Sequence, residues 1–242
     1  MTYCLAIKTE EGLVLASDSR TNAGVDQINQ YSKMHTFSLE NERVFVLLSA
    51  GNLATTQAVI HQIQFDLNDP QAEENLFKAE HMFDAAHYVG EISKKVQAKH
   101  GGDDKQESPT FGATFILGGQ IKNQETELYM IYPEGNCIVV SKEKPFLQIG
   151  ETKYGKPILD RLVTPQLSFQ DAARCALISI DSTIRSNLSV GFPVDLLIYI
   201  KDSFNLDHCT QFREDSEQYL KLTKAWSEGI KSLFSKLPEI DW

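Results

Sequence analysis

The chain has 242 residues, 42% apolar and 23% charged, a size and balance that allow one large domain or two small ones around a sizeable core. Its formal net charge of −10, with only 23 Lys and Arg, argues against nucleic acid or an anionic membrane as the main partner. No n-region and apolar h-region opens the chain, no apolar run of about 18 residues occurs, and Cys4, Cys137, Cys175 and Cys209 form no CxxC pair. The reading is therefore a cytoplasmic protein with reduced thiols, no membrane span and no zinc or dithiol site.

In chain order, residues 3–8 (YCLAIK) and 11–18 (EGLVLASD) read as strands joined by the polar turn Thr9-Glu10-Glu11-Gly12, an antiparallel hairpin. Strands are also expected at 33–38 (KMHTFS) and 44–49 (VFVLLS). The pattern then turns helical: 54–65 brings Ala58, Ile60, Ile63 and Phe65 near one face, and 78–98 carries Met82, Ala85, Ala86, Val89, Ile92 and Val96 at spacings of three and four. The glycines, charges and proline of GGDDKQESP, 101–109, mark a surface loop. Strands resume at 111–118, 127–132 and 137–141, with PEGN as the turn between the last two. Helices follow at about 155–162 and 169–185, then strands at 194–200 and near 209–212, and a C-terminal helix from about 216 to 236.

Blocks of strands joined by tight polar turns imply antiparallel sheets, and the helices must cover their outer faces. An α+β fold follows, a four-layer αββα sandwich of two antiparallel sheets, with residues 1–242 as a single domain. A doubly wound parallel fold fits poorly, because strands do not alternate singly with helices.

On that scaffold Thr2 acquires a chemical reading. A hydroxyl needs a base to become a nucleophile, and a threonine left at the N-terminus by removal of Met1 carries one in its own α-amine. That amine has an ordinary pKa of about 7.7–8.0, near working pH, and a neighbouring ammonium would lower it further. Lys33 is a candidate for that charge and Asp18 for holding it. Cys4 is the alternative nucleophile, but nothing in the sequence would make it terminal. The six histidines form no HExxH, the gap from His81 to His87 misses the i, i+4 chelating spacing, and no Walker loop or GxGxxG occurs. No metal and no cofactor are expected, and any ATP dependence would come from a separate partner.

Thr2, GLVLASDSRTNAG at 12–24 and SKM at 32–34 resemble the start of proteasome β-type subunits, which are N-terminal nucleophile hydrolases. The resemblance extends through SAGNLATTQAV, FGATFILGG and VGFPVDLLIYI. Within that group the opening MTYC and ASDSRTNAGVD are similar to the bacterial Anbu family. Residue by residue, the resemblance implies Thr2 as nucleophile, Asp18 as the carboxylate beside it, Lys33 as the ammonium and Gly51 as the N–H donor to the oxyanion. Arg20, two residues past Asp18 on one face of an extended segment, is a candidate to hold that carboxylate. Ser189 matches the serine of the RDxxSG stretch of these subunits, but in RSNLSVG, 185–191, Ser186 stands where the aspartate would. Their GSGS segment corresponds to QIGETKYG, 148–155, which offers Gly150, Glu151 or Thr152 in place of serine. Thr21, Tyr31, His35, Ser49 and Leu53 would line the pocket for the residue before the cleaved bond.

The function expected is a threonine-dependent amide-bond hydrolase acting on peptide or unfolded protein. A ring or helical stack of about ten or more copies would enclose the site, with a separate unfoldase as a partner. A non-proteolytic amidase of the same superfamily and a scaffold ring with a degenerate site are the alternatives.

Overall fold

The computed structural model describes residues 1–22, 28–100 and 111–241; the loop expected at 101–109 and the last two residues of the opening motif, Ala23 and Gly24, lie outside the described residues. One five-stranded sheet is built from β1 (Tyr3–Thr9), β2 (Gly12–Asp18), β10 (Phe146–Gly150), β11 (Val194–Ile200) and β12 (Cys209–Phe212), in the order β10-β1-β2-β11-β12. The second contains β5 (Met34–Leu39), β6 (Arg43–Gly51), β7 (Ala113–Ile121), β8 (Glu127–Ile131) and β9 (Cys137–Val139), in sequential order. All of these neighbours pair antiparallel. A small ribbon of β3 (Arg20–Asn22) and β4 (Ile28–Gln30) lies apart.

The strands read as near-continuous apolar runs because both of their faces are covered. Along β1, Tyr3, Leu5 and Ile7 face the helices α3 (Lys156–Leu162), α4 (Phe169–Ser186) and α5 (Glu217–Phe234), whereas Cys4 and Ala6 face the other sheet. Along β6, Phe45 and Leu47 pack under α1 (Leu53–Asn68) and α2 (Met82–His100), while Val44, Val46 and Leu48 meet Leu13 and Leu15 of β2 in the middle layer. Side chains alternate across a strand, so one register fills two cores at once. The result is the expected α+β, αββα sandwich.

Two elements escape the periodicity. The β10 strand lies on β1 with Tyr3 opposite Gly150, and it completes the sheet edge beside the N-terminus. A short 3₁₀ turn, Leu76–Lys78, precedes α2, which starts four residues later than expected. No helix of the described residues is long and apolar enough to cross a membrane.

Candidate active site

The site gathers at the N-terminal end of β1, where the two sheets open. The Thr2 carbonyl accepts the Glu151 N–H at 2.7 Å. This approach needs a glycine beside it: Gly150 has φ +83°, and a Cβ there would stand 2.0 Å from the Thr2 carbonyl oxygen. One residue along, the Tyr3 N–H donates to Asp18 Oδ1 at 2.9 Å, so the end of β2 is locked to the start of β1. The Tyr3 ring is held in turn by Ser179, 2.7 Å from its hydroxyl, and by Gln148.

Asp18 is fully buried. Its Oδ1 also accepts Lys33 Nζ at 2.6 Å, and its Oδ2 accepts the Gly191 N–H at 3.1 Å. Burial pushes the carboxyl above the ordinary range, against the pull of Lys33 and of the two N–H donors. Lys33 is itself buried and donates a second bond, 2.7 Å to the Arg20 carbonyl. Its own carbonyl accepts the Ser49 N–H at 3.0 Å, which ties the approach to β5 onto β6. With Met1 in place, the terminal amine has a lowered pKa, first through burial and then through Lys33, while Asp18 and Glu151 act the other way.

Gly51 ends β6 with φ +115°, and a Cβ on it would meet the Gly112 carbonyl oxygen at 2.4 Å. The next residue, Asn52, caps α1 by accepting the Thr55 N–H at 3.2 Å, so the positive end of that helix begins immediately beyond Gly51.

Around these residues lies a cavity of about 230 Å³. It is lined by Thr2, Lys33 and Gly51 and by all five of Thr21, Tyr31, His35, Ser49 and Leu53. Burial holds His35 below its ordinary pKa.

One candidate, Arg20, stands elsewhere than expected. The Arg20 guanidinium does not bond Asp18 among the described residues: it donates to the Leu188 carbonyl at 3.0 Å and lies against Gly191. The segment turns after Asp18, so Arg20 meets the pair through its backbone carbonyl instead. Ser189 is half-buried and sends its N–H to Asn187 Oδ1 at 2.9 Å, with no bond to Thr2 among the described residues. Cys4, the alternative nucleophile, is a core residue whose thiol faces the Ser49 carbonyl and is pushed far up by burial.

Sequence reasoning missed Thr56 and Gln57 in the cavity wall; they stand three and four residues after Leu53 on α1, a spacing that could have found them. It also missed the N–H donors of Tyr3 and Gly191, which carry no side-chain signature.

Comparison with known proteins places this geometry in a family context. The family model described as proteasome subunit matches residues 2–198. Among solved structures, Anbu from Yersinia bercovieri is 44% identical with a TM-score of 0.94, and Anbu from Hyphomicrobium sp. strain MC1 is 46% identical with a TM-score of 0.90; each comparison covers 100% of both chains. A structure described as the helical assembly of the Anbu complex from Pseudomonas aeruginosa is 43% identical, with a TM-score of 0.93, over 99% of this chain and 98% of that one.

Proposed function

Because the chain belongs to the proteasome subunit family, and within it to Anbu, we propose that it is a threonine-dependent amide-bond hydrolase, acting as a peptidase once Met1 is removed. One observation carries the reading: Asp18 Oδ1 holds both Lys33 Nζ, at 2.6 Å, and the Tyr3 N–H, at 2.9 Å. A buried ammonium is thereby fixed beside the backbone of the N-terminal segment, where it can tune a terminal amine.

In the proposed reaction Thr2 Oγ attacks the scissile carbonyl and its proton passes to the Thr2 α-amine. The Gly51 N–H faces the developing oxyanion, helped by the start of α1. The protonated amine then gives its proton to the leaving amine, and the acyl group stays on Oγ as an ester. Water attacks that ester with the α-amine again as base, releasing the acid and the free hydroxyl. Lys33 keeps the amine neutral between turnovers, and Asp18 keeps Lys33 in place. Thr21, Tyr31, His35, Ser49 and Leu53 form the wall that meets the residue before the cleaved bond.

The whole chain is the working unit in this reading, assembled with further copies into a ring or helical stack in the cytoplasm, with an unfoldase as a separate partner. The helical assembly described for the Pseudomonas aeruginosa protein supports the oligomer. The exposed Ser186, where the resemblance calls for an aspartate, favours as a second reading a scaffold ring with a weakened site.

The test is hydrolysis of unstructured protein and of short peptides by Met1-free protein beside its Thr2→Ala variant. Cleavage by the first and none by the second is expected. Equal cleavage by both overturns the reading, and cleavage by neither favours the scaffold.

A further inference from the structure

The carboxylate that the sequence lacks at 186 has a counterpart on the other side of the same corner. Glu151 follows β10 directly, and its N–H to the Thr2 carbonyl, 2.7 Å, extends the β1–β10 ladder to the first residues of the chain. Its side chain is half-buried and held: Asn187 Nδ2 donates to Oε2 at 3.2 Å. Asn187 is itself fixed at the end of α4, where its N–H caps the Thr183 carbonyl at 2.9 Å and its Oδ1 accepts the Ser189 N–H at 2.9 Å. A chain of bonds thus runs from Ser189 through Asn187 to Glu151, whose backbone holds Thr2.

We propose that Glu151 is a positioning residue of this site, a second carboxylate held by Asn187 beside the N-terminal residue, whose charge counters that of Lys33 at the terminal amine. This deepens the proposed function and rests on it. Lys33 alone would make the amine a poor proton acceptor, because the ammonium formed when Thr2 Oγ gives up its proton would face a like charge. A carboxylate at the amine stabilises that ammonium, and base strength near working pH is what general-base catalysis needs.

Among the described residues, the other charged groups near the N-terminal segment have partners of their own. Asp18, on β2, is engaged by Lys33, Tyr3 and Gly191. Arg20, on β3, places its guanidinium on the Leu188 carbonyl, and Asp195, on β11, bonds Ser19 and Gln211. His35 lines the cavity from β5 and is held toward its neutral form. With Met1 in place, Glu151 raises the pKa of the Met1 amine, the direction proposed here for the amine of Thr2.

The test reads the amine and not turnover. The N-terminal residue is identified by mass, and the rate at which its α-amine is acylated by acetic anhydride is followed by peptide mapping across a pH series. The wild type is compared with Glu151→Gln and with Glu151→Asp. Glu151→Gln keeps the shape and loses the charge, so the titration midpoint should fall by about half a pH unit, roughly threefold more neutral amine at a pH below it. Glu151→Asp keeps the charge and should leave the midpoint nearer that of the wild type. A merely structural role would not separate the two variants by charge. An unmoved midpoint in a Glu151→Gln variant that melts cooperatively overturns the proposal, and if Glu151→Gln does not fold, Asn187→Ala, which frees the Glu151 carboxylate and should also lower the midpoint, decides alone. A shifted midpoint in a protein without hydrolytic activity would sink the peptidase reading and leave Glu151's role standing.

Discussion

Lys33 donates to Asp18 and to the Arg20 carbonyl, and its charge lowers the pKa of the amine that Met1 carries. Replacing it by alanine should lower the rate more than tenfold, since the amine loses the charge that keeps it neutral. The acid limb of the pH–rate profile should also move to higher pH. The sign follows from the role proposed for the Thr2 amine: only its neutral form is a base, Lys33 would lower its pKa as it lowers that of the Met1 amine, and removing Lys33 would let that pKa rise. The same change leaves Asp18 buried without its partner, which typically costs about 3–5 kcal/mol, so a fall in melting temperature should accompany the loss of activity. Wild-type rates with an unmoved acid limb in Lys33→Ala would show that Lys33 does not act on the amine. Met1 bears on the same proton: a methionylated Thr2 nitrogen is an amide without a basic lone pair. Protein that keeps Met1 should therefore be inert, and full hydrolysis by it would defeat the N-terminal base.

Gly51 joins a strand to a helix, and its environment leaves no room for a side chain. With φ +115° and the Gly112 carbonyl oxygen 2.4 Å from where a Cβ would stand, Gly51→Ala must shift the β6–α1 corner and with it the proposed oxyanion donor. A rate loss of about 10²–10³-fold is expected, the scale of losing one oxyanion donor; a kinetically normal Gly51→Ala would place the donor elsewhere. The cavity beside that corner makes its own prediction. Its wall mixes Thr21, Tyr31, Ser49, Thr56 and Gln57 with Leu53 and a histidine kept toward neutrality, and among the described residues no acid lines it to attract a cation. Peptide libraries should show tolerance of medium apolar residues before the cleaved bond, and cleavage confined to Lys or Arg would contradict this. Both predictions depend on elements that were legible in the sequence to different degrees. The strand at Val194–Ile200 was readable to the residue and the helix Phe169–Ser186 nearly so, because long runs with apolar periodicity mark them. The strand Phe146–Gly150 was not, since a five-residue edge between charged turns has little periodicity. The Thr2, Asp18 and Lys33 constellation could be read from residue type and resemblance. The backbone donors of Tyr3 and Gly191, the redirected Arg20 guanidinium and the bond from Asn187 to Glu151 could not, because each depends on how distant segments meet.

At the scale of the whole molecule the surface bears on assembly. The end of α5 and the residues after it expose Leu233 (65%), Phe234 (74%) and Ile240 (74%), large apolar groups whose exposure to water is costly. Mass photometry at micromolar concentration should find particles of about ten or more subunits, the outcome of heterologous contacts that close or propagate. An active species of one 27.2 kDa chain would defeat the assembly claim. Enclosure matters only if there is a nucleophile to enclose, and that claim has a direct test. The protein is treated with a threonine-directed electrophile, an epoxyketone that bridges hydroxyl and α-amine, and its intact mass and N-terminal peptide are then measured. The account predicts a chain lacking Met1 with a single adduct on Thr2, absent from Thr2→Ala; a Met1-free, folded chain that takes up no reagent at Thr2 would contradict it.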